Sequence, residues 1–245
     1  MDLRRYNVAY DVARGIALVA LVGKVAEKAI LSTAPDSSDP RQAEGQQMVN
    51  EIAAKRGVPA PPFVLLEWDK LPRLARRRVM KFNAFNMRAP GSKGIVVMSS
   101  KLYDELTPPE RRGVLAHEMS HQIHRDGQVL VITQMALNMA TVAARQRTGN
   151  HEFTNHLLAH TQKAVTGAMM RRIETRCDRE GAETTNDPLA LASALSKLKG
   201  IGEREQKKRP AYRVAAKLPI SEERRKRYRQ EKRAAQGGLR FPSPG

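Results

Sequence analysis

Aromatic side chains are scarce in this sequence: Phe, Tyr and Trp make up 4% of 245 residues, against 41% apolar residues in all. A core must therefore be assembled from Ala, Val, Leu, Ile and Met, which favours packed helices over a β-sandwich. Cysteine is nearly absent. Cys177 stands alone, so no intrachain disulfide can form, which fits a reducing compartment. A long uninterrupted apolar run is also missing. Ile16 to Val22 follows Arg4 and Arg5, is flanked by Asp11, Arg14 and Lys24, and is too short to span ~30 Å of hydrocarbon. It reads as part of a helix, about Val8 to Leu31, that packs on the protein or lies on a membrane surface. Gln128 to Ala144 is the most apolar long stretch, but Gln128, Thr133, Gln134, Asn138 and Thr141 interrupt it, and a buried helix is the expectation.

Acidic residues are outnumbered, 25 against 43 Lys and Arg, for a net charge of +18. The excess gathers late: Arg204 to Arg240 holds 14 basic and 4 acidic residues. Such a segment can make peripheral contact with an anionic membrane or nucleic acid. A solvated charged helix carries the same pattern.

Punctuation divides the chain into residues 1–45, an N-terminal helix and linker; 46–230, the main domain; and 231–245, a basic tail with Gly and Pro. Ser32 to Gln42 holds two prolines and three serines and reads as linker. Gln46 to Arg56 is helical, with Val49, Ile52 and Ala53 on one face. Pro59, Pro61 and Pro62 stop it, and Phe63 to Leu66 is a short strand. Asn83 to Asn86 and Gly94 to Ser99 are two strands joined by a turn at Arg88 to Ser92. Ser100 to Leu106 is a short helix. Thr107-Pro108-Pro109-Glu110 is a helix start, with Thr as cap and Glu at the third position. Residues 151–170 and 171–183 are further helices. The fold class is α+β and mostly helical.

The chemistry lies in His117-Glu118-Met119-Ser120-His121. Positions i and i+4 of a helix share a face, so two imidazoles can converge on one metal while the Glu between them reaches a water on it. A catalytic zinc needs a third protein ligand and an open position. No His follows five or six residues on, where Gly127 and Gln128 stand. Glu174 is the candidate, and Asp178, one turn beyond, can accept the free ring N–H of a ligand His. His156 and His160 are also four apart, but Leu157 occupies the base position, so they read as helix surface. His124 reads as solvated, Asp126 as a local cap or pair, and Cys177 as a small packed side chain.

These residues resemble the HtpX and CAAX prenyl protease family of zinc peptidases, in the gluzincin group. Asn83-Ala84-Phe85 is similar to the family's Asn-Ala-Phe segment, and Gly94 to Ser99, with Val96 and Val97, to the strand that follows it. Leu106 to His121 resembles the zinc helix and its lead-in nearly residue for residue. Arg172 to Asp178 resembles the third-ligand helix, and Leu218-Pro219 to Arg224, more weakly, a C-terminal His-Pro element. Leu218 departs from that pattern by replacing the His. Family members usually carry membrane spans where this chain is short or polar.

The resemblance implies a zincin-like domain with a small sheet or hairpin beside the zinc helix. It implies one Zn²⁺ per chain on His117, His121 and Glu174, Glu118 as general base, Asp178 behind a ligand ring, and an endopeptidase acting on extended or unfolded polypeptide. Asn83, Ala84, Phe85, Val96 and Val97 are the candidate substrate strand, with the peptide along Gly94 to Ser99. A cytoplasmic protein, at most peripheral to the inner face of a membrane, is expected. Two rival readings stand beside this one: a DNA-associated zinc protease, which needs a third His that is missing here, and a zinc-containing binding protein without catalysis, which would not need Glu118.

Overall fold

The computed structural model describes residues 20–35, 38–71, 81–148 and 151–208, without the side chains of 202 and 205–208. The chain divides into two units, 1–199 and 200–245. The basic residues beyond 208 and the 218–224 segment lie outside the described residues, as does 8–19 of the expected first helix.

The helices are α1 (20–31), α2 (Pro40–Lys55), α3 (Ser100–Glu105), α4 (Pro108–His124), α5 (Asp126–Thr148), α6 (Glu152–Thr185) and α7 (Pro188–Lys208). The strands are β1 (Phe63–Leu66), β2 (Ala84–Met87) and β3 (Ile95–Ser99). The mostly helical α+β class is therefore met. Helix α2 begins inside the expected linker, because the Asp39 side chain accepts the Arg41 N–H and proline occupies the first turn; both satisfy a helix start locally. Residues 152–185 form one helix rather than two.

The sheet order is β1-β3-β2, with β1 parallel and β2 antiparallel to β3. Strand alternation sorts side chains onto two faces. Phe63, Leu65, Val96 and Met98 meet Val49 and Ile52 of α2, Leu102 and Tyr103 of α3, and Leu115 and Met119 of α4. Val64, Leu66, Ile95 and Val97 form the second core, with Ile30 of α1 and Trp68 against it. The outer edge of β1 is closed by two side chains of α2. The Phe63 N–H donates to Gln46 (2.7 Å), the Leu65 N–H donates to Gln42 (2.8 Å), and Gln42 donates to the Phe63 carbonyl (2.7 Å). Gln42 and Gln46 thus stand in for a neighbouring strand.

This topology corrects the expected substrate strand. A peptide cannot pair along β3, because both of its sides are already bonded to neighbours. Among the described residues, the open edge is β2.

Helix α5 corrects a second expectation. It is 23 residues long, with a mean hydropathy of 1.3 in its most apolar window, and none of that window is buried. Val131, Ile132, Met139 and Val142 are exposed. Of the polar residues that argue against an apolar setting, Gln128, Gln134, Asn138 and Thr141 are tied to one another, to α6 or to backbone. Gln134 and Gln162 both donate to Asn138 Oδ1 at 3.0 Å, and Thr141 donates to the Leu137 carbonyl at 2.8 Å.

Candidate metal centre and catalytic site

The site starts with a well-made helix end. Glu110 is 5% exposed and accepts the Thr107 N–H at 2.8 Å, the Ser193 hydroxyl at 2.7 Å and Lys197 at 2.7 Å. Burial opposes its charge, but Lys197, Thr107 and Ser193 outweigh it and hold the carboxyl at about 2. About two and three turns farther along α4, His117 and His121 come to one face. Their rings stand edge to face, with the two Nε2 atoms 3.1 Å apart.

Helix α6 lies against α4 where Gly181 leaves room. A Cβ there would sit 3.2 Å from His117 N and 3.3 Å from His117 Cα. Two turns earlier on α6, Glu174 presents Oε2 at 3.5 Å from His117 Nε2 and Oε1 at 3.9 Å from His121 Nε2. The ligand atoms of the three residues lie within 4.8 Å of one another. Donors bound at about 2.0–2.1 Å around a tetrahedral ion stand roughly 3.3 Å apart, and these separations bracket that spacing. Two nitrogens and a carboxylate are also a donor set that zinc takes. Asp178 brings Oδ1 to 2.9 Å from His117 Nδ1, but off the line of a hydrogen bond, so this buried ring nitrogen is not satisfied there.

Glu118 points to the sheet. Its Oε2 accepts Asn86 Nδ2–H at 2.9 Å from β2. The β2–β3 turn is fastened to α4 beside this contact: Gln122 donates to the Lys93 carbonyl at 2.8 Å, and Arg88 donates to the Gln122 carbonyl at 3.3 Å. Gly94 permits this closeness. Its φ is +77°, and a Cβ would fall 2.7 Å from Gln122 Nε2 and 2.9 Å from the Met87 carbonyl.

A second cluster backs His121. Arg125 ends α4 in the left-handed region, with φ 55°, and this bend sets Asp126 beside the helix it has just left. Asp126 Oδ2 lies 2.9 Å from His121 Nδ1, and Arg176 Nη2 lies 2.6 Å from both Asp126 oxygens. Cys177 Sγ is 3.4 Å from the same ring nitrogen. Burial favours the neutral ring, but the Cys177 sulfur, Glu118 and Asp126 push His121 up to about 9. Farther along α6, Glu180 accepts from Ser120 (2.6 Å) and Arg56 (2.7 Å) and lies 3.0 Å from His124 Nε2. His124 is therefore paired while still part exposed to solvent. Burial opposes the Glu180 charge, yet these three partners hold its carboxyl at about 2.

The fold thus gathers His117, His121 and Glu174 around one point, with Asp178 beside His117 and Glu118 turned toward Asn86 of β2. Ala84 and Phe85 belong to the open strand, and Asn83 pairs with Ser99 beside it. Val96 and Val97 lie inside the sheet. Asn86 escaped the sequence reading, although strand alternation puts it on the face of Ala84. Asp126 pairs locally, as the sequence suggests, with His121 five residues away; its grip by Arg176 escaped the reading because no helical or strand spacing links residues on two different helices.

The model of Peptidase family M48 matches residues 39–232. Protease HtpX homolog of Paraburkholderia phytofirmans is 32% identical over 168 residues, covering 62% of this chain and 54% of the relative. Protease HtpX homolog 2 of Methanosarcina acetivorans is 28% identical over 173 residues, covering 64% and 55%. Protease HtpX of Legionella pneumophila is 28% identical over 168 residues, covering 62% and 56%. The chain spans little more than half the length of these relatives. No solved structure matches it. The family match takes in most of the chain and every residue of the constellation above, so the chain belongs to Peptidase family M48, a family of metallopeptidases.

Proposed function

We propose that the chain is a zinc-dependent endopeptidase acting on extended or unfolded polypeptide, with one zinc ion per chain. The observation that carries this reading is the convergence of His117, His121 and Glu174 at ligand spacing, with Glu118 beside them and held by Asn86. His117, His121 and Glu174 would hold the ion. Bound there, zinc supplies a Lewis acid that polarises a scissile carbonyl and acidifies water. Glu118 takes the proton of the attacking water and delivers it to the departing amine nitrogen. Because Asn86 engages Oε2, the carboxylate presents its other oxygen for both transfers. Asp178 Oδ1 stands 2.9 Å from His117 Nδ1 and would take its N–H once the ring turns into line. A site that held zinc for structure alone would have no use for Glu118 or for Asn86 aiming it.

The open edge of β2 supports an extended peptide paired with Ala84–Met87, since backbone pairing grips any extended chain and reads little of its sequence. A mostly apolar cavity of about 270 Å³ adjoins Asn86, lined by Met87, Ala89, Val131 and Ile132. It favours substrates with an apolar side chain beside the cleaved bond.

The unburied α5 supports residence in a membrane rather than on its surface. At ~1.5 Å per residue its 23 residues are about 34 Å long, against roughly 30 Å of hydrocarbon. Gln134 and, from α6, Gln162 both donate to Asn138, which lowers the cost of carrying these amides in an apolar setting. Extraction by detergent but not by carbonate is the expected behaviour, and release by carbonate would refute it.

Casein cleavage and zinc content of three proteins test the main reading. Wild type should cut and hold about one zinc. Glu118→Gln should keep the zinc and lose on the order of 100- to 10,000-fold in rate. Glu174→Ala should lose most of the metal. A zinc-loaded wild type that cuts nothing would overturn the proposal.

A further inference from the structure

We propose that Asp126, braced by Arg176, is the positioning residue of His121: it fixes which ring nitrogen carries the proton and where the other one points. The inference rests on the zinc reading above and deepens it. An ionised carboxylate only accepts hydrogen bonds. With Asp126 Oδ2 at 2.9 Å from Nδ1, Nδ1 keeps its proton in either charge state of the ring, and it is Nε2, facing His117 and Glu174, that gives up its proton to a metal. Metal-bound imidazoles are held in this way as a rule, and losing the outer partner costs about 10- to 100-fold in metal affinity.

Three observations make Asp126 a built part of the site rather than a neighbour. Its side chain is 5% exposed, so its charge is buried only because something offsets it. Arg176 does so, with Nη2 at 2.6 Å from both oxygens; a carboxylate gripped on both oxygens cannot swing away from the ring. The third observation is the chain path. Arg125 accepts a left-handed conformation, φ 55°, at a position where glycine is the usual residue, and that bend carries Asp126 back to His121. The same arginine grip decides against a second metal site at His121, Asp126 and Cys177, whose donor atoms also lie within 4.8 Å: both carboxylate oxygens are taken by a cation that is part of the chain.

The two ligand histidines are therefore secured differently. His121 has a formed, charge-assisted contact deep in the α4–α5–α6 junction. His117 has Asp178 near its Nδ1 but off line, with the Asp178 side chain 48% exposed. Helix α6 carries Glu174, the Arg176 brace on Asp126 and Asp178 near His117, so one element delivers a ligand and reaches the surroundings of both histidines.

The test measures zinc affinity of the full chain by competition with a chromophoric chelator, together with the visible spectrum of the cobalt(II) form. The variants are Asp126→Asn, Asp126→Ala, Arg176→Gln and, as a control, Glu180→Gln. Glu180 is a comparably buried carboxylate at the same helix contact that touches neither ligand ring. Asp126→Ala should bind zinc about 10- to 100-fold more weakly than wild type, with an altered cobalt spectrum. Asp126→Asn, which keeps an acceptor oxygen, should lose less, and Arg176→Gln should shift in the same direction. Glu180→Gln should lose stability but keep its affinity and spectrum. Unchanged affinity in both Asp126 variants and in Arg176→Gln would overturn the inference while leaving the zinc peptidase reading intact. Equal losses in the Asp126 variants and Glu180→Gln would reduce Asp126 to a structural role. A wild type that takes no zinc would overturn the reading of the site, and this inference with it.

Discussion

Glycine to alanine at two positions of α6 should act with opposite sign, and the reason is the distance between α6 and α4. In an exposed helix interior this change stabilises by about 0.5–1 kcal/mol, because glycine loses more backbone freedom on folding. Gly167 offers that situation. A Cβ there meets only the Arg171 guanidinium, at 3.4 Å, and a flexible side chain can move aside. Gly181 has the same intrinsic gain, but its Cβ would press on His117 N at 3.2 Å, on His117 Cα at 3.3 Å and on Leu191 Cδ2 at 3.3 Å. Two of these are backbone atoms of the helix that carries both histidines, so the helices must separate by a few tenths of an ångström. Overpacking of this kind costs about 1–3 kcal/mol. The net expectation is roughly 0–2 kcal/mol of destabilisation at Gly181 against a gain of about 1 kcal/mol at Gly167. At about 2–4 °C per kcal/mol for a chain of this size, Gly167→Ala should raise the melting temperature by a few degrees and Gly181→Ala should leave it level or lower it. Because Glu174 rides on α6 two turns from Gly181, zinc affinity should fall in Gly181→Ala and hold in Gly167→Ala. Thermal melts and zinc competition on both variants decide the matter. If Gly181→Ala stabilises as much as Gly167→Ala, the close approach does not set the position of Glu174.

Glu110 should make the fold sensitive to acid. Its folded value, about 2, lies below the ordinary 4.5, so its contribution is fully present above the unfolded value and disappears as pH falls from about 5 toward 2; the shift is worth on the order of 3 kcal/mol. Urea melts of wild type and Glu110→Gln at pH 7, 4 and 2.5 should converge as pH falls, and a constant gap would contradict the assignment. Gly94→Ala should destabilise by at least ~1 kcal/mol, since φ is +77° and the new Cβ would meet the Met87 carbonyl; an unchanged denaturation midpoint would show that the turn is not clamped to α4. Asn86→Ala should keep zinc but cut the rate of cleavage roughly tenfold or more, because a hydrogen bond to a charged group is worth about 1.5–3 kcal/mol; wild-type kcat would remove Asn86 from the machinery.

Some of this protein was legible along the chain because the physics is local. His117 and His121 share a face by helical period. Thr107, Pro108 and Glu110 mark a helix start by their own chemistry. Phe63 to Leu66, after a run of prolines, and Gly94 to Ser99, before a helix, read as strands. Glu174 and Asp178, one turn apart, could be named as a pair from spacing. Other features depend on contacts between distant segments. The sequence cannot say that Gln42 and Gln46 close the β1 edge, which leaves β2 rather than β3 open to a peptide. It cannot say that α5 is uncovered, because composition alone does not distinguish a helix buried in protein from one facing an apolar medium. Nor can it bring Arg176 to Asp126 and Asp126 to His121, since that contact needs the left-handed bend at Arg125 and the groove left by Gly181. Local periodicity determined which residues could do the chemistry, and the packing of α6 on α4 decided how they are held.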